Sequence, residues 1–181
     1  MSSLTKEQLS ALWKEILVIV TEREQYFTEK PLLPKMKPPA NELEISSLER
    51  YLQLSLPPTY RNFISLYNGV ENFFYDIPLL SINQIIADEE WKEWIEEWKE
   101  DMEDIYPNLD KFIFAGSTET FEIICFNCEE ISENGEMEVV HINNHGEDNR
   151  WSDFGEFLQN YLEVTQKTVA NERADRESLK D

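Results

Sequence analysis

Residues 1–29 place apolar side chains with the period of an α-helix. Thr5 and Gln8 form a capping box at the start, in which each side chain bonds the other residue's backbone. Pro31 limits the end, because the residue before a proline disfavours helical geometry. The pattern predicts an N-terminal amphipathic helix that packs on the rest of the chain through six apolar side chains, namely Leu9, Leu12, Trp13, Ile16, Val20 and Phe27.

Residues 30–40 have no helical period. The stretch Lys30–Ala40 contains four prolines and three lysines. Such a composition favours an extended chain, so these residues are predicted to be a linker. Beyond it, Asn41 is a good helix cap with Glu44 three residues later, and Ile45, Leu48 and Leu52 follow on one face.

The stretch Leu56–Gly69 shows a helix start and a helix end. Pro57 and Pro58 suit the first turn, where a missing N–H is not needed. Asn68 and Gly69 supply the left-handed exit that many helices use. Apolar residues lie between them at i, i+3, i+4 and i+7, which predicts one buried face made of Tyr60, Phe63, Ile64 and Tyr67.

Short apolar runs in the rest of the chain predict strands. Asn134-Gly135 is a strong hairpin signal, and a two-residue turn there pairs Glu133 with Glu136 and sets Cys128 opposite His141. The predicted strands are Ile77–Leu80, followed by a helical turn through Ile86, then Phe112–Ala115, Phe121–Asn127 and Met137–Ile142.

The end of the chain returns to a helical pattern. His145–Arg150 is predicted to be a polar loop, after which Asp153 and Glu156 form a capping box. Residues 167–181 are polar and charged, so we expect them to form a frayed tail. The apolar face of the helix between these segments is Phe154, Phe157, Leu158, Tyr161 and Leu162.

This order of elements predicts an α+β fold. Helices come first, strands follow and a helix closes the chain, without the alternation that builds parallel sheets. We therefore expect one domain over residues 41–166, in which helices pack on an antiparallel sheet, preceded by the N-terminal helical extension.

Asp88–Ile105 combines an apolar stripe with an unusual number of acids. The stripe is Trp91, Trp94, Ile95, Trp98, Met102 and Ile105, and such a stripe more often belongs to a core than to a binding surface. Several acids recur at i, i+4, where like charges destabilise a helix by a few tenths of a kcal/mol per pair. A basic partner would relieve that repulsion, so the candidate contact residues are Glu89, Glu93, Glu96, Glu97, Glu100, Asp101 and Asp104.

Overall charge points to the same kind of partner. The 181 residues carry 37 acidic and 16 basic side chains, a formal net charge of -21. Such a charge opposes binding to nucleic acid or to an anionic membrane and attracts basic proteins.

The longest apolar run, Ile16–Val20, is too short to span a bilayer, and the start lacks a signal peptide. Two cysteines give no disulfide framework, so we expect a cytoplasmic protein. Of the possible oligomeric states, a monomer is favoured.

One spacing resembles a zinc site. Cys125, Cys128, His141 and His145 fit C-x2-C-x12-H-x3-H. In an extended strand, however, Cys125 and Cys128 point to opposite faces, and the two histidines are not on a helix. Thiols in apolar strand sequence stay protonated, which disfavours a Cys–His nucleophile. We expect no metal, no cofactor and no catalytic residues.

Three blocks resemble the SUKH superfamily. The first is Glu42–Gly69, with the pattern LP-x-x-Y-x-x-F-x-x-x-Y-N-G. The second is Phe112–Ser117 followed by Ile124–Asn127. The third is Val139–Ile142 followed by Trp151–Leu158.

The resemblance implies a function as well as a fold. Its bacterial members are immunity proteins of polymorphic toxin systems, which bind and neutralise a toxin enzyme, often a nuclease. It thus implies a cognate protein toxin as the partner, and the charge of this chain implies that the toxin is cationic. Two alternatives stay open: a regulatory scaffold of cell-wall or stress signalling, as in fungal relatives, and a small carboxylate-dependent hydrolase.

Overall fold

The computed structural model describes residues 3–27, 29–103, 111–143 and 145–179. Helices and strands follow one another as the sequence predicts for an α+β chain. Within these ranges the helices are α1 (Lys6–Phe27), α2 (Glu42–Leu52), α3 (Pro58–Ile64), α4 (Ile82–Ala87), α5 (Glu89–Asp101) and α6 (Phe154–Ser178). The strands are β1 (Lys35–Met36), β2 (Val70–Phe74), β3 (Ile77–Leu79), β4 (Lys111–Ser117), β5 (Glu122–Ile131), β6 (Met137–Asn143) and β7 (Gly146–Trp151).

The seven strands form one antiparallel sheet in which spatial order equals sequence order, β1 to β7. Every strand pairs with its neighbour in the chain, so β1 and β7 are the two edges. The predicted fold class is therefore confirmed. The segment predicted to be a linker contributes β1, which pairs with β2 through Lys35 and Glu71.

The sheet carries helices on both faces. On the front face, Phe114, Ile124 and Phe126 join the main hydrophobic core with apolar residues of α1, α2, α3, α4 and α6. On the back face, Ile123, Cys125 and their neighbours form a second core with α5. Alternate residues of β5 thus serve different cores, as the two-residue period of a strand requires.

Helix α1 is part of the main core. Its Thr5–Gln8 capping box forms as predicted. Trp13 is fully buried, with its ring centroid 5.3 Å from that of Phe63 and 5.4 Å from that of Phe73. The N-terminal helix therefore buries its aromatic face against α3 and the front face of the sheet.

The predicted helix at Leu56–Gly69 is shorter than its apolar pattern. Helix α3 ends at Ile64, because the Ile64 carbonyl accepts a hydrogen bond from the Ala40 N–H, at 3.0 Å, instead of continuing the helical ladder. Gly69 adopts φ +100°, the left-handed geometry that glycine tolerates best. The predicted apolar face is otherwise correct, since Tyr60, Phe63 and Ile64 are buried.

The predicted hairpin register was wrong. The Gly135 N–H donates to the Ser132 carbonyl, so the turn is centred on residues 133–134, one residue earlier than predicted. A bulge then shifts the strands, and His141 lies opposite Ile124 instead of Cys128. The buried Glu136 carboxylate accounts for the shift, because its Oε1 accepts hydrogen bonds from the Thr59 N–H and hydroxyl at the start of α3.

Two further expectations need correction. His145–Arg150 is not a loop, because most of it forms β7, and an edge strand tolerates polar residues. Helix α6 continues to Ser178 where a frayed tail was expected after Gln166. Val169 is buried in the core, and Arg173 binds the Glu22 carboxylate of α1 at 2.6 and 2.5 Å. The hydrogen bond from Arg173 lowers the pKa of Glu22.

Candidate functional site

Helix α5 forms where the acidic tryptophan-rich segment predicts a helix. The Asp88 carboxylate caps its start by accepting a hydrogen bond from the Trp91 N–H at 3.1 Å. Asp88 and the acids of the first turn also complement the positive end of the helix dipole. Helix α5 ends at Asp101, and Ile105, the last residue of the predicted stripe, lies outside the described residues.

The tryptophan stripe faces the protein. Trp98 is fully buried and its indole N–H donates to the Phe121 carbonyl at 3.4 Å. Trp91 packs against the backbone of Gly116 so closely that a Cβ there would lie 2.6 Å from its ring. The aromatic side of α5 is therefore core, and the opposite side faces solvent.

That opposite side is acidic and exposed. Lys92 binds Glu89, and Lys99 binds Glu96, each at 2.9 Å, and the hydrogen bond that Lys92 donates to Glu89 raises the pKa of Lys92. The remaining carboxylates have no ionic partner in the part of the chain that the structure describes. The predicted contact residues on this exposed side are Glu89, Glu93, Glu96, Glu97, Glu100 and Asp101, while Asp104 lies outside the described ranges.

A cleft of about 500 Å³ opens beside the start of α5. It lies between the start of α5, the β2–β3 turn and the β4–β5 turn. Among the described residues, its lining includes Asp76, Asp88, Glu90 and Glu119 but no lysine, arginine or histidine. We call the exposed side of α5 and this cleft the acidic surface. Sequence reasoning missed Asp76 and Glu119, because two distant turns bring them to α5.

The structure separates the residues of the zinc-like spacing. Cys125 belongs to the back-face core, whereas His141 approaches Phe74 and Glu122 on the front face. Across the described ranges, no group of three or more His, Cys, Asp or Glu side chains is arranged to hold a metal ion.

We predict that the purified protein contains no stoichiometric transition metal, because Cys125 and His141 point to opposite sides of the sheet. Elemental analysis of protein prepared without chelators would measure this. Near-stoichiometric zinc that disappears in a Cys125→Ser variant would contradict it.

None of the described helices is both long enough and apolar enough to cross a bilayer.

The comparison with protein families is positive: residues 42–158 match the SUKH_6 family, described as SMI1-KNR4 cell-wall. The match covers more than half of the chain and spans α2 to the first residues of α6. No curated protein matches the sequence.

Proposed function

Because the chain belongs to the SUKH_6 (SMI1-KNR4 cell-wall) family, we propose that it is an immunity protein that binds and neutralises a cationic protein toxin. In this proposal it acts in the cytoplasm by stoichiometric binding, without catalysis. The toxin is a nuclease-type domain, whose substrate groove is basic because it must accept nucleic acid. Covering that groove would block the enzyme.

The observation that carries the proposal is the acidic surface. Glu93, Glu97 and Asp101 succeed one another at i, i+4 on the exposed side of α5, and none has an ionic partner among the residues described. Like charges at this spacing each cost a few tenths of a kcal/mol. The basic side chains of a toxin groove bound to this side of α5 would attract these carboxylates and offset the repulsion among them.

The negative charge of this chain would also speed its association with a cationic toxin. An immunity protein must bind its toxin before the toxin reaches its substrate. Complementary charge raises association rates by roughly tenfold to a thousandfold at low salt. The excess of acids over the whole chain extends this field beyond α5.

Co-expression tests the proposal. The first step is to look beside this chain's gene for a gene encoding a large secreted protein, since its C-terminal domain would be the toxin to use. We expect that domain alone to stop growth of a bacterial host, and this chain to restore growth and form a one-to-one complex with it. The control is an active toxin domain of an unrelated system, which this chain should leave active. Growth arrest that persists although the chain is soluble and abundant would contradict the proposal.

A further inference from the structure

A second pocket, of about 380 Å³, lies on the front face between α6 and the sheet. Aromatic rings form much of its wall. The Phe74 centroid lies 4.8 Å from that of Tyr75 and 4.9 Å from that of Tyr161, and Trp151 lines the wall on β7. Tyr75 has φ +56°, an uncommon conformation for a bulky residue. Pockets of this size and composition are typical of ligand sites.

Polar groups converge on the same space. His141 is buried, and its Nε2 lies 2.8 Å from Oε2 of Glu122. The other oxygen of Glu122 has no partner among the described residues. The Asp76 carboxylate is exposed at the rim, and Asn160 lies half-buried on α6. Burial raises the pKa of Tyr161, so its hydroxyl stays neutral near neutral pH.

We propose that this pocket binds the guanidinium group of an arginine side chain from a protein partner. Aromatic faces attract cations, and the attraction grows when the cation is shielded from water. The carboxylates of Glu122 and Asp76 supply charge-assisted acceptors. Among the described residues that line the pocket there is no lysine or arginine to compete for them, and the imidazole of His141 is directed at Glu122. Arg23 of α1 is not one of the lining residues, but it lies over the Tyr75 ring at 4.6 Å from its centroid, which leaves the rings of Phe74, Tyr161 and Trp151 for the cation of a partner.

The chemistry favours arginine over other ligands. An anion would meet two carboxylates and, among the described lining residues, no lysine or arginine. A lysine ammonium offers three donors around one point, whereas a guanidinium offers five in a plane and also stacks on aromatic rings. The acceptors of Glu122, Asp76 and Asn160 come from three different elements around the pocket, which suits a group with donors on several sides.

The pocket adjoins the acidic surface, because Asp76 lines both. The inference deepens the proposed function and rests on it in one respect only: the arginine belongs to the same cationic partner. Long-range charge on α5 would draw that partner in, and the pocket would then hold one of its side chains in a desolvated, geometrically specific contact. Such contacts dominate interface energies.

The test uses a capped arginine, N-acetyl-L-arginine methylamide, instead of a toxin. We would titrate it into the full chain and follow the Trp151 indole and the Asn160 side-chain amide by NMR. We expect saturable shifts at both groups. The capped citrulline analogue, which has nearly the same shape but no charge, should produce none. Capped lysine should bind more weakly than capped arginine.

Glu122→Gln removes the charge while keeping an acceptor for His141, and should weaken binding by about tenfold or more. Glu163→Gln makes the same change of net charge at an exposed position of α6 outside the pocket, and should have no effect. Asp76→Asn, in an exposed turn, is a second test should Glu122→Gln unfold.

Three results would overturn the inference: no saturable shifts with capped arginine, equal shifts with arginine and citrulline, or arginine-dependent shifts confined to α5. Because no toxin is present, none of these results bears on the proposed immunity function. A failure of toxin rescue would likewise leave binding of capped arginine in the pocket as a separate result.

Discussion

Replacing Phe63 with alanine is expected to destabilise the protein by about 3–5 kcal/mol, the range for truncating a fully buried phenylalanine. Phe63 lies at the centre of the front-face core. Its ring centroid is 5.3 Å from those of Trp13 and Phe154 and 5.9 Å from that of Phe73. The cavity would therefore open between α1, α3, α6 and β2 at once, where no single element can move to fill it.

Thermal unfolding would measure the effect. For a chain of this size, about 3–5 kcal/mol corresponds to a fall in Tm of roughly 6–20 °C. Phe27→Ala is the matched control, since the same atoms are removed from a side chain that is 56% exposed. The prediction that Phe27 belongs to the packed face of α1 was therefore wrong. The Phe27→Ala variant should change stability by no more than about 0.5 kcal/mol. Equal losses in the two variants would show that Phe63 is not a core residue.

Reversing three charges on α5 is expected to slow capture of the cognate toxin. Glu93→Lys, Glu97→Lys and Glu100→Lys together change three exposed carboxylates that have no ionic partner among the described residues. If the acidic surface steers the toxin, association at low salt should fall by about tenfold or more. The fold should survive, because these side chains lie away from Trp98 and Ile95, which pack on the sheet.

Salt dependence sharpens this test. The screening length is about 8 Å at physiological ionic strength, so association of the wild-type chain should slow as salt rises. The triple variant should show a flatter dependence.

A charge-matched control is available in the β5–β6 hairpin, where Glu129, Glu130 and Glu133 are also exposed. Reversing those three acids changes the net charge by the same amount away from α5. Stopped-flow association that slows equally in both triple variants would show that total charge, not the acidic surface, steers the toxin.

Local signals predicted much of this fold. Capping residues located the starts of α1, α2 and α6, because a cap is a contact between residues three apart. The capping box predicted at the start of α6 differs in one detail. The Glu156 carboxylate accepts a hydrogen bond from the Ser152 N–H, not from the Asp153 N–H. The helical period likewise identified the buried sides of α3 and α5.

Features that depend on distant residues could not be predicted in this way. The β5–β6 register follows from the contact between Glu136 and Thr59, which are 77 positions apart. Strands β2 and β7 were missed because one is irregular and the other is a polar edge. The acids of α5 are visible in the sequence, but the meeting of Asp76, Glu90 and Glu119 in one cleft is a product of the fold.

The strand order has a consequence for synthesis on the ribosome. Because every strand pairs with its neighbour in the chain, the sheet can assemble as it emerges, without waiting for distant segments. Helix α1 cannot complete its packing in this way, since its partner α6 is synthesised after all the other described elements, and Glu22 meets Arg173 across 151 positions. At ordinary translation rates the nascent chain carries an incompletely covered apolar helix for about 10–30 s, an interval in which a holdase chaperone has a binding site on this protein.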